Sequence, residues 1–298
     1  MPSDTRQQDS RQRAQIQTKY ESLYGMLKAC ADAVVEGEGN HGIATFRRLK
    51  ETLPAVWALL MEQKGVPLSQ LLHMTAAFNA RPCTWHEGQS KVEGTEWGWD
   101  QASVRVTLDA IKAHIPANCD LVMDLGCGWG HRMVDLYLAG GPKAAAYRGG
   151  ERAAPGRALI ALLGRVLPEM DIGSFAFDFL APDFSAVEGK PRSICVYTYL
   201  AIEQVRYLGP ELFDKLLERF PDAEITGVHM EPFGFQAFAA DDPRFAADRE
   251  YAAARGYNLD LFAQVVQHPR LKVLAATTPV LGQGQGNGIG ALVWRRRT

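Results

Sequence analysis

The stretch LVMDLGCGWGHR, residues 121–132, decides the fold of this chain. A short apolar run is followed by an acid, Asp124, and then by three glycines within five positions, Gly126, Gly128 and Gly130. An apolar strand that ends in a glycine-rich turn and leads into a helix is typical of nucleotide-binding α/β domains. The stretch therefore predicts an α/β domain, and it leaves open whether the loop holds a dinucleotide, ATP or a ligand without phosphate.

Strand and helix patterns alternate from Asp100 to the end of the chain, which predicts a mostly parallel sheet with helices on both faces. The last two apolar runs, LKVLAATTPVL and GIGALVWRRR, are separated only by GQGQGNG, which leaves no room for a helix between them. Those two runs should therefore pair as an antiparallel hairpin. We predict a seven-stranded, mostly parallel sheet with a final antiparallel strand.

The residues before this domain have a different character. Residues 1–13 form a polar tail, residues 14–80 show apolar positions at helical spacing, and residues 81–99 are rich in tryptophan and glycine with little periodicity. We expect residues 14–99, the N-terminal segment, to be helices followed by a loop, folded over the open end of the sheet as a lid or substrate-binding element. Residues 100–298 form the predicted nucleotide-binding domain.

Composition narrows the class of protein. A formal net charge of −2 supplies no basic field for nucleic acid, and no apolar run approaches the ~20 residues that span a bilayer. The polar start does not resemble a secretory signal. Five scattered cysteines without a C-x-x-C pair argue against a zinc site and favour reduced thiols. We expect a soluble cytoplasmic protein without a metal and leave open whether it forms a homodimer.

The spacing of the glycines discriminates between ligands. A dinucleotide fold requires G-x-G-x-x-G, but His131 stands where the third glycine should be, and the G-x-x-x-x-G-K-[ST] loop of ATPases is absent. The sequence VMDLGCGWG resembles motif I of the class I S-adenosylmethionine-dependent methyltransferases. Because this cofactor has no phosphate, its loop needs glycines only for close backbone approach. Asp124 would repel a pyrophosphate but can help to hold the methionyl ammonium.

The resemblance continues along the domain. Glu151 ends YRGGE, 21 positions after Gly130, where this family places the acid that accepts both ribose hydroxyls. Asp178 in FDF matches the acid near the adenine amino group, and Phe179 would pack on the adenine ring. The closing antiparallel strand is a family hallmark. The resemblance therefore implies S-adenosylmethionine as cofactor, held by Asp124, the three glycines, Glu151, Asp178 and Phe179.

The acceptor should bind beyond the carboxyl ends of the fourth and fifth strands of the domain, which read YTYLAIEQV and HMEPFG. The [DNS]-P-P-[YFW] signature of methyltransferases acting on amino groups of adenine, cytosine or glutamine is absent, which counts against nucleic acid. The candidate substrate-binding residues are Trp85, Trp97, Trp99, Tyr197 and Tyr199, and the candidate catalytic residues are Glu203, His229 and Glu231.

An aromatic and acidic pocket suits a small-molecule acceptor that becomes a cation. Methylation of a neutral amine or thioether leaves a positive charge, which an aromatic face stabilises by roughly 0.5–2 kcal/mol. IEQV and HMEPFG resemble bacterial small-metabolite methyltransferases, including those acting on free amino acids, so we expect S-methylation of methionine or N-methylation of an amino acid or amine. Two alternatives remain open: an O-methyltransferase with His229 as base, and a non-catalytic scaffold that retains the fold.

Overall fold

A computed structural model describes residues 2–38, 42–62, 66–238, 242–282 and 288–297, with side chains from residue 18 onward except at 244. The helices are α1 (Pro2–Glu38), α2 (Ile43–Glu62), α3 (Leu68–Asn79), α4 (Glu96–Lys112), α5 (His131–Leu138), α6 (Ala154–Val166), α7 (Glu211–Arg219), α8 (Gly234–Ala237), α9 (Ala246–Arg255) and α10 (Leu261–Gln267). The strands are β1 (Pro82–Glu87), β2 (Ser90–Thr95), β3 (Leu121–Leu125), β4 (Ala146–Glu151), β5 (Ile172–Ala176), β6 (Ser193–Tyr199), β7 (Glu224–Glu231), β8 (Leu271–Gly282) and β9 (Gly288–Arg296).

All the strands listed belong to one sheet of order β2-β1-β8-β9-β7-β6-β3-β4-β5. The strands from β3 to β7 are parallel to one another, whereas β9 pairs antiparallel with both β7 and β8. The predicted α/β class and the antiparallel closing hairpin are confirmed. The predicted number of strands is wrong, because the sheet has nine strands and is mixed.

The two additional strands come from residues 81–99, which the sequence predicted to be a loop. Here β1 and β2 form a hairpin around Gly88, whose φ of +57° suits glycine, and β1 also pairs with β8. Trp85 is the one buried residue of this hairpin, so burial of one large aromatic and the free edge of β8 stabilise a segment with little alternation of its own. The Thr95 hydroxyl then accepts from the Gly98 N–H and caps α4, which begins before Asp100.

The sheet has an apolar cluster on each face. Val122 of β3 packs among residues of α1 to α6, whereas its neighbour Met123 packs among residues of α7, α10 and β9. Successive side chains of a strand point to opposite faces, so a strand covered on both sides reads as a continuous apolar run. The N-terminal helices therefore share one core with the sheet, and α1 begins at Pro2, so that the predicted polar tail is part of a helix.

Two further properties concern the described residues. No helix in the described part of the chain combines the length and the apolar character needed to cross a bilayer. The same residues contain no group of three or more His, Cys, Asp or Glu side chains arranged to hold a metal ion.

Candidate functional site

A cavity of about 640 Å³ lies where the glycine loop after β3 meets the ends of β4 and β6. This volume is in the range of small-molecule sites. Its wall includes the predicted cofactor residues Gly126, Gly128, Glu151, Asp178 and Phe179. The fold therefore brings together residues that are far apart in the sequence, at the edge of a parallel sheet where ligands usually bind.

The glycine loop requires its glycines for two different reasons. Gly126, Gly128 and Gly130 have φ of +72°, +59° and +81°, a region that L-residues rarely adopt. A Cβ at Gly126 would lie 2.5 Å from the Ala201 Cβ, and both Gly126 and Gly128 line the cavity. Gly130 does not line it, and a Cβ there would lie 2.8 Å from the Ile160 side chain. The first two glycines thus shape the cavity, and the third permits close packing of α5 on α6.

Glu151 connects the end of β4 to the glycine loop. Its Oε2 accepts from the Gly128 N–H at 3.0 Å, and its Oε1 accepts from the Ala153 N–H at 2.8 Å. Burial raises the pKa of Glu151 above its usual value, and these backbone hydrogen bonds oppose that shift. The backbone of Arg152 also hydrogen-bonds this carboxylate. Because a carboxylate has about four acceptor positions, capacity for a ligand hydroxyl remains.

Asp178 and Phe179 follow β5 and form the next part of the wall. The Asp178 Oδ1 accepts from the Leu180 N–H at 3.0 Å, and its Oδ2 lies 3.5 Å from the Arg152 Nε. The Phe179 ring packs edge-on against Phe177, with centroids 5.0 Å apart. The acid is held in a fixed orientation, so it can bind the polar edge of a ligand while the aromatic wall packs against the ligand's planar ring.

Asp124 and Tyr197 do not line the cavity but lie next to each other on β3 and β6, buried in the sheet. Burial raises the pKa of Asp124 to about 7, whereas Arg132 and the Tyr197 hydroxyl act to lower it. The sequence predicted direct contact of Asp124 with the cofactor and of Tyr197 with the substrate. In the structure neither reaches the wall, because the strand positions that carry them are covered.

Glu203 and Glu231 have different positions. Glu203 lines the cavity, is 9% exposed, and its Oε2 has no hydrogen-bond partner among the described residues. Burial and the neighbouring Glu231 raise the pKa of Glu203 to about 8. The Glu231 carboxylate lies behind the wall, where it accepts from the backbone N–H groups of residues 201 to 203 at 3.0–3.2 Å. Glu203 can therefore reach a ligand, and Glu231 positions the turn that carries it.

His229, a predicted base, is in the core. Its Nε2 accepts from the Trp294 Nε1–H at 2.8 Å, and its Nδ1 lies 3.1 Å from the Thr198 hydroxyl. Burial lowers the pKa of His229 to about 3, and it does not line the cavity. Its position on β7 places it between strands and under α7, where Phe213 packs edge-on against its ring. This placement argues against a role in proton transfer.

Some of the predicted aromatic residues line the cavity and others do not. Trp97, Trp99 and Tyr199 line the cavity. Trp85 does not, because its ring packs under the hairpin, where a Cβ at Gly94 would lie 2.8 Å from it. Trp85 packs against Trp99, which lines the cavity, with ring centroids 6.3 Å apart.

The N-terminal segment contributes aromatic residues that the sequence did not identify. Tyr20 and Tyr24 of α1 and Trp57 of α2 form a cluster with centroids 5.0–6.1 Å apart, and all three line the cavity. The Tyr24 hydroxyl lies 2.7 Å from the position of a Cβ at Gly128, and the Tyr20 hydroxyl donates to Gln204. The i, i+4 spacing of Tyr20 and Tyr24 fits helical periodicity, but that pattern does not distinguish a core face from a cavity wall.

Comparison with known proteins gives distant structural resemblances. No protein-family model matches the chain, and no curated protein matches its sequence. The geranyl diphosphate C-methyltransferase of Streptomyces coelicolor A3(2), solved with Mg²⁺, geranyl diphosphate and S-adenosyl-L-homocysteine, is 14% identical with a TM-score of 0.44, over 66% of this chain and 81% of that one.

Two more solved structures show the same degree of likeness. Magnesium protoporphyrin IX methyltransferase from Synechocystis PCC 6803, with bound S-adenosyl-L-homocysteine, is 13% identical with a TM-score of 0.43, over 67% of this chain and 84% of that one. Mitomycin 7-O-methyltransferase is 15% identical with a TM-score of 0.43, over 82% and 61% of the two chains. Resemblance of this degree does not specify a ligand or a reaction.

Proposed function

We propose that this protein is an S-adenosylmethionine-dependent methyltransferase that acts on a small-molecule acceptor and forms a cationic product. One observation carries the proposal: the glycine loop, Glu151 and Asp178 meet in one cavity that also contains the buried acid Glu203. The acceptor is a free amino acid or an amine, methylated on sulfur or nitrogen. The free cysteines favour a reducing compartment, and the cytoplasm is the proposed location.

The residues present fit the cofactor. Gly126 and Gly128 leave space on the cavity side of the loop, Glu151 has acceptor positions for the ribose hydroxyls, and Asp178 with Phe179 suits the adenine. Bound S-adenosylmethionine supplies a methyl group on a positively charged sulfur. The loop contains neither the third glycine of dinucleotide sites nor the lysine of phosphate-binding loops, so its chemistry favours a ligand without phosphate.

Glu203 is the residue that selects a cationic product. A buried carboxyl with an unpartnered oxygen and a raised pKa is costly when ionised, and a cation beside it removes much of that cost. The aromatic wall of Trp97, Trp99 and Tyr199 adds cation–π stabilisation. For an amine acceptor Glu203 also accepts the departing proton, and for a thioether it only stabilises the charge that develops.

We propose that the protein also accelerates the reaction by aligning the acceptor with the methyl group. Direct displacement at a methyl group gains most from holding the two reactants in line, and closure of a site by helices excludes water from it. Residues of α1, α2 and α4 line the cavity together with the glycine loop, so we propose that the N-terminal segment completes the acceptor site.

The proposal is tested with purified full-length protein. Calorimetry should show binding of S-adenosylhomocysteine but not of NAD. Incubation with S-adenosylmethionine and a panel of amino acids, amines and phenols, followed by mass spectrometry, should show a methyl gain on an amino acid or amine. Binding of NAD alone would refute the proposal. Cofactor binding without a methylated product would leave the non-catalytic alternative, and a methylated phenol would replace the cationic acceptor with an O-methylated one.

A further inference from the structure

We infer that Arg132 and His131, at the beginning of α5, bind the carboxylate of an α-amino acid group. Both the methionyl part of S-adenosylmethionine and a free amino acid acceptor carry this group. The inference rests on the proposed function and deepens it, since it identifies which part of the cavity recognises an amino acid and separates amino acid acceptors from simple amines.

Arg132 presents a positive charge that the described residues leave without an ion pair. Its guanidinium lies 3.7 Å from the Tyr199 ring centroid, in the cavity wall. The Nη2 donates to the Ser103 hydroxyl at 3.4 Å, the Nη1 lies 3.2 Å from the His131 Nε2, and the buried Nε has no hydrogen-bond partner in the described part of the chain. Each partner is neutral, and a guanidinium with unused donors is the usual match for a carboxylate.

His131, the neighbour of Arg132, carries a second polar atom without a partner among the described residues. Arginine can only donate, so the His131 Nε2 accepts from Arg132 and the ring proton of neutral histidine is on Nδ1. Burial and the nearby Arg132 and Lys50 lower the pKa of His131 well below its usual value, which keeps the ring neutral. This Nδ1 is buried and has no partner among the described residues. The ring stacks on Trp129 at 4.4 Å, so its orientation is held.

The backbone favours an anion at this position too. No side chain caps the N-terminus of α5, whose N-cap is Gly130 in the left-handed conformation. The first N–H groups of a helix carry a partial positive charge and stabilise a nearby anion. His131 and Arg132 are the first two residues of α5, and both line the cavity beside this helix end.

Tyr199 lies near two cavity residues of opposite charge, Arg132 and Glu203. Tyr199 lies under the Arg132 guanidinium, and Glu203 acts electrostatically on the Tyr199 hydroxyl. An arginine and a buried acid in the same cavity match a zwitterion, which carries both a carboxylate and an ammonium group. Burial raises the pKa of Asp100, Asp124 and Asp135, and Arg132 is close enough to each of these acids to oppose that shift. These three carboxyls therefore balance part of the Arg132 charge.

The first experiment asks whether the carboxylate belongs to the cofactor. Calorimetry compares S-adenosylhomocysteine with 5′-methylthioadenosine, which lacks the amino acid part, in the wild type and in Arg132→Met. If Arg132 binds the cofactor carboxylate, the variant binds S-adenosylhomocysteine ~10- to 100-fold more weakly and methylthioadenosine equally well. Arg148→Met is the matched control, because Arg148 pairs with Asp171 and does not line the cavity.

The second experiment asks whether the carboxylate that Arg132 binds belongs to the acceptor. The protein saturated with S-adenosylhomocysteine is titrated with methionine against methioninamide, and with lysine against cadaverine. If Arg132 binds the acceptor carboxylate, the wild type prefers the carboxylate-bearing member of one pair by at least ~10-fold, and Arg132→Met loses that preference. Arg132→Lys, which keeps the charge without the planar fork, should lose part of it.

The outcomes separate the two hypotheses. If Arg132→Met remains folded by thermal unfolding and changes neither comparison, the carboxylate subsite is wrong even though the wild type binds S-adenosylhomocysteine and methylates an acceptor. If the wild type fails to bind S-adenosylhomocysteine, the proposed function itself fails.

Discussion

The Glu231 carboxylate accepts a hydrogen bond from the backbone N–H of Glu203 at 3.2 Å, and so one buried acid holds the turn that presents another. The other Glu231 oxygen accepts from the N–H groups of Ala201 and Ile202. Glu203 alone of the two acids lines the cavity. This relationship separates a residue that can contact the substrate from one that positions it.

The two glutamine variants should therefore differ. Glu203→Gln should slow turnover ~10- to 1000-fold with cofactor affinity little changed, because the charge beside the cationic product is lost. Glu231→Gln should lower the melting temperature, because an amide replaces one of the oxygens that accept from the turn. Steady-state kinetics, calorimetry and thermal unfolding measure these effects. Full activity of Glu203→Gln would remove Glu203 from the mechanism.

Stability should depend on pH through Glu203. Burial and Glu231 raise its pKa from 4.5 to about 8 in the folded protein, so the folded state binds more protons than the unfolded state between those values. Its contribution to the free energy of unfolding therefore falls as pH rises through this range. Glu203→Gln should be more stable than the wild type by on the order of 4 kcal/mol at about pH 8 and equally stable near pH 4, measured by urea unfolding. A difference that is constant with pH would contradict this assignment.

Glu151→Ala should weaken S-adenosylhomocysteine binding by about 1.5–3 kcal/mol, as expected for lost hydrogen bonds to a charged group. Because Glu151 also accepts from the N–H groups of Gly128 and Ala153, part of the loss comes from a looser glycine loop. Glu151→Gln keeps one accepting oxygen and should lose less. Calorimetry of both variants measures the effect, and unchanged dissociation constants would exclude Glu151 from the cofactor site.

Contact between α1 and the glycine loop can be tested with a double mutant. Gly128→Ala places a Cβ 2.7 Å from the Tyr24 hydroxyl at a φ of +59°, so it should destabilise the fold and weaken cofactor binding. Tyr24→Phe removes the hydroxyl that the new methyl group meets. The double variant should therefore recover part of the lost stability and leave the ~1–2 kcal/mol of backbone strain. Strictly additive melting data would show that Tyr24 and Gly128 do not touch.

His229→Gln tests the placement of that residue in the core. Loss of the Trp294 hydrogen bond in a buried site should reduce stability by about 1–3 kcal/mol, while kcat/KM per folded molecule stays near the wild-type value. With a pKa lowered to about 3, His229 also reduces wild-type stability as pH falls below ~6.5, and the variant should lack this dependence. An inactive but stable variant would restore the hypothesis of a catalytic base.

Local sequence patterns determined the α/β domain, its antiparallel closing hairpin and the residues of the glycine loop. These features depend on neighbours in the chain: the three glycines stand where positive φ is required, and GQGQGNG is too short for a helix. Glu151 and Asp178 could be named in advance because the resemblance to class I methyltransferases implies acids at these positions, and both line the cavity.

Only the tertiary structure decided which polar residues face the cavity. Glu203, Glu231 and His229 looked equivalent in sequence, since each stands in or just after a strand. The fold exposes Glu203 to the cavity, turns Glu231 toward the backbone of residues 201 to 203, and encloses His229 beside Trp294. The sequence also did not show that Tyr20 and Tyr24 line the cavity, because this depends on where α1 packs against the rest of the fold. Burial and partnership are set by contacts between distant segments, which no local pattern encodes.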